Sequence, residues 1–200
     1  AHKKATNGNF EGAQFPWESA WIDDGEVTPE WFSVDILTGQ PIKVWSGFIE
    51  LHITADVAYG IWQYYMTTGD QDYMDKYGYE ILMDTAKFWA SRLEWSEEDG
   101  MYHMNDVIGP DEYAEHSDDN AYTNYMAHFN MELAIDFIET GDEKTKQKLN
   151  EKYDLDETKL RNDIRNFIAY AKYDVDDNSQ LNVVDTHVAD VSLCPENREI

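Results

Sequence analysis

Eighteen residues, Val107 to Asn124 (VIGPDEYAEHSDDNAYTN), hold the densest set of reactive side chains in the chain. Five carboxylates (Asp111, Glu112, Glu115, Asp118, Asp119) stand with the imidazole of His116, the amides of Asn120 and Asn124, and the phenols of Tyr113 and Tyr122. Gly109-Pro110 is a turn dipeptide, so the acids begin on a loop. Ser117, Asp118 or Asp119 is then placed to cap a helix that begins near Asn120. A loop delivering carboxylates to the mouth of a helix is a usual way to build a polar site on a rigid scaffold. The competing reading is a solvated acidic loop in an acidic protein. The interleaved aromatics favour a sugar site, because a carboxyl beside aromatic surface tends to keep its proton and so can serve as an acid.

The elements that position this loop are predicted to be helical. Residues 1–50 are punctuated by Gly8, Gly12, Pro16, Gly25, Pro29, Gly39, Pro41 and Gly47 and read as irregular. They also carry Phe15, Trp17, Trp21, Trp31, Phe32, Trp45 and Phe48, which predicts a long loop packed over a surface and lining a cleft. From Leu51 to Thr68 apolar residues recur at helical spacing. Gly69 ends that helix and Asp70 caps the next, from about Asp72 to Trp95. Met101 to Met104 reads as a short strand. Further helices are predicted over Asn120–Glu139, Glu143–Tyr153 and Asp156–Tyr173. Asp174 to Ile200 is ambiguous between strand and buried helix.

An internal repeat organises the pattern. Thr68-Gly69-Asp70 returns as Thr140-Gly141-Asp142 at an offset of 72 positions. At the same offset Ala55 meets Ala127, Ile61 meets Leu133 and Tyr65 meets Phe137. Each unit is a loop, an apolar helix, a TGD turn and a second helix; such hairpins stack and leave their loops on one rim. His52 and Asn124 then hold equivalent positions near their helix starts, facing the rim where the aromatic and acidic loops meet. The expected fold is all-α, built of antiparallel helical hairpins.

Composition narrows the function. With 15 basic and 41 acidic residues among 200, the net charge is -26, which disfavours nucleic acid and anionic membranes as partners. The 42% hydrophobic and 14% aromatic content is enough for a core and unlike a disordered acidic tail. The single Cys194 allows no internal disulfide and fits a reducing compartment, so a cytoplasmic location is expected. There is no apolar run of membrane-spanning length and no apolar signal-peptide core. The polar start without an initiator Met points to a fragment or a processed chain. His103, His116, His128 and His187 form no HxxxH pair, and Asp174-Val-Asp-Asp-Asn178 lacks the glycine and glutamate of a calcium loop, so no metal is expected. No phosphate-cradling loop, GxGxxG or nucleophile elbow is present. Carboxylate chemistry in an aromatic cleft remains, the pattern for cleaving or transferring a sugar.

Phe15-Pro-Trp-Glu-Ser-Ala20, Glu26-Val-Thr-Pro29, Glu50 to Tyr65 (ELHITADVAYGIWQYY), Phe88-Trp-Ala-Ser-Arg92 and Val107 to Asn124 resemble, in order, the catalytic domain of glycoside hydrolase family 65. The family includes maltose, trehalose and kojibiose phosphorylases and some acid trehalases. The resemblance is clear over about residues 8–140 and weak over 141–200. It implies that residues 1–200 are a partial catalytic domain, contributing some hairpins of an (α/α)6 toroid. It implies that Glu112, the glutamate of G-P-D-E-Y, is the general acid. Trp17 and Glu18 fall on a motif that lines the sugar site, and the loop carrying Thr38, Gln40, Lys43 and Trp45 falls where acceptor specificity varies. Glu50, His52, Asp111, Tyr113, Asn120 and Asn124 complete the expected substrate-binding set. Ala114 replaces the family's histidine, Asp119 an asparagine, and His187-Val188 a lysine-glutamine pair. The family's tryptophan-aspartate motif and its phosphate-binding elements would lie outside the 200 residues.

The expected function is therefore an inverting α-glucoside phosphorylase acting on maltose or a similar disaccharide. Inorganic phosphate is the co-substrate and no cofactor is used. A trehalase-like hydrolase of the same family and an inactive sugar-binding or structural fragment are the alternatives. Tyr113 and the tryptophan-rich loop are expected to exclude water from Glu112, while Asp111 and Glu115 add negative charge; both effects keep a proton available on it. Asp111 is the rival acid, with a role bracing the loop if Glu112 points into the cleft. Apolar helix flanks are expected to drive self-association or to pack on a further segment of the parent protein.

Overall fold

A computed structural model describes residues 1–20, 23, 25–141, 143–153 and 157–166. The expectations for Asp174–Asn178, Leu181–Val191 and Cys194 lie outside the described residues.

Two helices set the frame. α3, Ile53–Thr68, and α6, Ala121–Thr140, are the repeated apolar helices. They run side by side in the same direction. His52 at the start of α3 meets Tyr122 at the start of α6. Further along Tyr59 and Trp62 meet Phe129, and at the far end Tyr65 meets Phe137, with ring centroids 5.2–5.7 Å apart throughout. Of the residues paired by the 72-position offset, Tyr65 and Phe137 thus pack against each other, and Ala55, Ala127, Ile61 and Leu133 are all buried.

The second helix of each unit returns along the first. Gly69 ends α3 in the left-handed conformation (φ 65°), and the Asp70 side chain accepts the Tyr73 amide 3.0 Å away. The return path is α4, Gln71–Tyr73, a π-helical turn over Met74–Gly78, and α5, Tyr79–Arg92. A Cβ on Gly78 in that turn would sit 2.4 Å from Met74 Sδ, so a larger residue there has to displace the buried Met74 side chain. Trp89, Phe88, Leu82 and Met83 fix α5 between α3 and α6. In the second unit the return path is split into α7, Glu143–Tyr153, and α8, Glu157–Asn166. Lys148 and Lys152 of α7 pair with Asp75 and Glu80 across the units.

The structure differs from the sequence reading in three places. The predicted helix to Trp95 stops at Arg92, where Leu93 turns extended (ψ 138°). Trp95 belongs to β3, Glu94–Ser96, which pairs antiparallel with β4, Met101–His103. Residues 1–50 contain α1 (His2–Asn7), α2 (Ser46–Ile49) and a two-stranded hairpin of β1 (Trp31–Val34) and β2 (Pro41–Lys43). That hairpin does not pack over the helices: Ile36 and Leu37 at its tip are 98% and 95% exposed, and Trp31, Phe32 and Val34 are exposed too. Its strands bond to each other, so local pairing rather than burial defines it. Among the described residues no helix is long and apolar enough to cross a membrane.

Candidate active site

The acidic loop runs from Met104 to Asn120 and is closed on itself. Val107 and Ser117 exchange both backbone hydrogen bonds, at 2.9 and 2.8 Å, drawing the nine residues between them into a tight Ω-shaped excursion. Three non-glycine residues of this loop, Asp106, His116 and Asp119, have positive φ (56°, 60° and 49°). Such backbone costs on the order of 1–3 kcal/mol per residue and persists only where its surroundings enforce it. The enforcement is visible. His116 Nδ1 lies 2.6 Å from Asp106 Oδ1, and Asp118 Oδ1 accepts the Asp106 amide. Asp119 is the main brace. Its Oδ1 accepts from the Met104 amide and from Asn124 Nδ2, and its Oδ2 bonds His103 Nδ1 at 2.6 Å. His103 also bonds Asp99. Burial pushes the His103 imidazole down, and the two carboxylates outweigh this and raise it.

The expected capping residue is corrected by this arrangement. Asp119 is occupied as a brace, so Asn120 caps α6 instead, its Oδ1 accepting the Thr123 amide at 3.1 Å. Gly109 lies directly against Asn120; a Cβ there would come within 2.3 Å of Asn120 Nδ2. Asn120 and Asn124 are both buried, with side-chain atoms engaged in holding the loop to the helix.

At the top of the loop, half-buried Asp111 accepts the Tyr113 amide through Oδ1 at 3.2 Å. Glu112 beside it is exposed, and so is Glu115. Tyr113 does not shield Glu112, because its own side chain is fully exposed. The water-excluding surroundings expected from Tyr113 are therefore not supplied by it.

Two other segments converge on this loop. The Ile108 amide donates to Ile49 of α2 at 3.1 Å. The Trp45 ring stands edge-on to His116 with centroids 4.6 Å apart, and Lys43 Nζ lies 4.1 Å above the Trp45 ring. The Lys43–Trp45 end of the expected acceptor loop therefore reaches the acidic loop, whereas Thr38 and Gln40 lie on the exposed hairpin tip and bond within it.

The third convergent group surrounds His52, which immediately precedes α3 and is buried. Its Nδ1 lies 2.6 Å from Asp56 Oδ2 and its Nε2 3.2 Å from Glu50 Oε1. Tyr122 donates to the other Asp56 oxygen at 2.8 Å. Burial alone would push the imidazole down; the two carboxylates outweigh it and raise it to about 9. Burial and the bond to Asp56 push the Tyr122 phenol up. Trp17, half-buried, packs edge-on against the His52 ring at 5.7 Å, and Glu18 next to it is exposed. Asp56 is not among the residues singled out from the sequence, and Tyr122 is named there only as a phenol of the acidic stretch, not as a partner of His52 or Asp56. The i to i+4 spacing of His52 and Asp56 on a predicted helix is a signal for the first; Tyr122 becomes visible only when α6 is laid beside α3.

A groove of about 970 Å³ lies elsewhere among the described residues. It lies at the TGD ends of α3 and α6, between Trp62, Tyr65, Phe137 and Lys144, away from the acidic loop. Among the described residues His2, Glu80 and Asp84 bring possible metal-ligating atoms within 4.8 Å of one another, with His2 and Glu80 exposed.

Residues 1–189 match the model of the glycosyl hydrolase family 65 central catalytic domain. The chain belongs to glycosyl hydrolase family 65. Its helical hairpins are accordingly part of an (α/α)6 toroid. A kojibiose phosphorylase of Halothermothrix orenii is 58% identical over 137 residues, 68% of this chain and 17% of that protein. A kojibiose hydrolase of Flavobacterium johnsoniae is 45% identical over 135 residues, 67% of this chain and 18% of the relative. A solved structure of a putative kojibiose phosphorylase from human microbiome superposes with a TM-score of 0.63 at 24% identity, covering 83% of this chain and 23% of that one. The family 65 chain thus spans about a fifth of the length of the relatives it matches.

Proposed function

We infer that this chain is the acid-bearing part of an inverting α-glucoside phosphorylase. The observation that carries the reading is the convergence of three loops at the starts of α3 and α6. The Trp17 segment, the Lys43–Trp45 segment and the braced acidic loop meet there, and Glu112 stands exposed on the last of them. In this reading Glu112 protonates the glycosidic oxygen as the bond from the anomeric carbon breaks. A phosphate oxygen attacks that carbon from the opposite face, so the glucosyl unit leaves as glucose 1-phosphate with inverted configuration. Trp17 offers the sugar a ring face and Glu18 a carboxylate acceptor for hydroxyls. Asp111 braces the loop. Lys43 and Trp45 lie on the acceptor side. No cofactor is needed, since protonation and phosphate attack complete the step. Kojibiose is favoured over maltose as the disaccharide, because relatives named for kojibiose reach 58% identity.

Glu112→Gln removes the proton donor and keeps the shape. In the whole protein, release of glucose 1-phosphate from the natural disaccharide should fall by about two to four orders of magnitude. A glucosyl fluoride, whose leaving group needs little protonation, should lose much less. Near-normal turnover by Glu112→Gln, with abolition by Asp111→Asn, would assign the acid to Asp111. The similarity to a kojibiose hydrolase favours a second reading, in which water takes the place of phosphate. Phosphate-independent release of glucose would establish it over the first.

A further inference from the structure

We propose that Glu26 is a positioning residue whose carboxylate sets the Trp17–Glu18 dipeptide and ties it to the acidic loop; this rests on the reading of Trp17 and Glu18 as sugar-facing groups.

The Glu26 side chain is only 13% exposed and its two oxygens are shared among three parts of the chain. Oε2 accepts the Trp17 amide at 3.0 Å, and Oε1 accepts the Glu18 amide at 3.1 Å. Oε1 also accepts the Thr28 amide and, at 2.7 Å, the Thr28 hydroxyl. Lys4 Nζ of α1, itself 13% exposed, donates to Oε2 at 2.8 Å and to the Gly47 carbonyl of α2 at 2.9 Å. Burial alone would push the carboxyl up; Lys4, Thr28 and the Glu18 amide outweigh it and hold Glu26 below the usual carboxylate range.

Two consecutive amides bound by the two oxygens of one carboxylate fix a peptide plane far more tightly than one bond would. The direction in which the Trp17 and Glu18 side chains leave the backbone is therefore set from behind. The same carboxylate lies against α2, where a Cβ on Gly47 would come within 3.1 Å of Thr28 and 3.5 Å of Glu26. From α2 the path is one bond long, since Ile49 accepts the Ile108 amide of the acidic loop. Glu26 thus relates the sugar-facing dipeptide to the segment carrying Glu112. A displacement of about 1 Å in such a group is enough to cost on the order of a hundredfold in rate.

Glu26→Gln keeps the size and one oxygen acceptor and loses the second. Lys4→Met removes the ion pair but leaves the carboxylate its amide and hydroxyl donors. In the whole protein Glu26→Gln should lower kcat/KM for the disaccharide by about ten- to a hundredfold, mainly through KM. Hydrogen exchange at the Trp17 and Glu18 amides should speed up by a similar factor. Lys4→Met should lower the melting temperature while leaving those two amides within about twofold of the starting protein. The proposal is overturned if Glu26→Gln leaves both the two amides and kcat/KM unchanged, or if Lys4→Met speeds exchange at the two amides as much as Glu26→Gln does. The exchange measurement needs no turnover. Faster exchange at both amides in a protein that neither phosphorolyses nor hydrolyses a glucoside would uphold the brace and reject the enzymatic reading, and the sugar-facing role with it.

Discussion

The acidic loop and the β1–β2 hairpin are both excursions from the helical frame, and they are held in opposite ways. The acidic loop is tied at its ends by the Val107–Ser117 pair, to β4 and α6 through Asp119, and to α2 through Ile49. It tolerates three strained residues because those bonds over-determine it. The hairpin is held by its own ladder and by an Asp35 side chain that accepts from Leu37 and Thr38 at its tip, while its apolar residues face solvent. A loop rich in aromatics can therefore be the loosely attached one, and a loop rich in charge the rigid one. Which is which follows from where the bonds go.

The largest effect is expected where the rigid loop is cut. Asp119→Ala strips the acceptor from the Met104 amide, from Asn124 and from His103 at once. It should cost roughly 3–5 kcal/mol in denaturant unfolding. A loss below about 1 kcal/mol would show that the loop is held by something other than this brace.

The pH dependence should come next. His52 is raised to about 9, so its contribution is fully present below pH 6.5, the ordinary value, and is lost as pH rises through 9. A shift of that size corresponds to at most roughly 3 kcal/mol. His103 is raised too and adds in the same direction. Stability measured between pH 6 and 10 should decline across that window, and His52→Gln should flatten the decline. Glu26, held low, acts at the other end, its contribution being lost as pH falls.

Two glycines sharpen the comparison further. Gly109→Ala drives a Cβ into the Asn120 cap and should cost about 1–3 kcal/mol, by displacing an engaged side chain. Gly39 in the hairpin is left-handed (φ 69°) with nothing within 4 Å of its Cβ position, so Gly39→Ala should cost only about 1 kcal/mol, from backbone strain alone. Smallest of all is Leu37→Ser at the hairpin tip, expected within about 0.5 kcal/mol of the starting stability. If Leu37→Ser instead unfolds more readily by several kcal/mol, or breaks up an oligomer, the hairpin is buried in solution.

Much of this was readable from the residues. Helical periodicity located α3 and α6, because burial of one face imposes a 3.6-residue period on apolar side chains. The TGD repeat identified equivalent helices, and those helices proved to be packed side by side. The motif-by-motif resemblance pointed to family 65 and to the loop that carries Glu112. Errors arose where a long-range bond outcompeted a local signal. Asp119 was a plausible helix cap until His103, Met104 and Asn124 claimed its oxygens. Trp95 followed the helical pattern of α5, yet cross-strand pairing with Tyr102 drew it into a ladder. Trp31 and Phe32 looked like buried aromatics, because residue type reports the tendency to be covered and not what is available to cover it.

The sequence by itself determined the helical frame, the acidity, and the loop in which the carboxylates are gathered. These depend on side-chain type and on spacing along one element, which a linear string preserves. Only the tertiary structure decided that His52 sits between Glu50 and Asp56 beneath Tyr122, and that Glu26 holds the backbone under Trp17 and Glu18. Hydrogen-bond partners such as Asp56 and Tyr122, 66 positions apart, are chosen by geometry within a few ångströms. No local pattern encodes that proximity before the helices have packed.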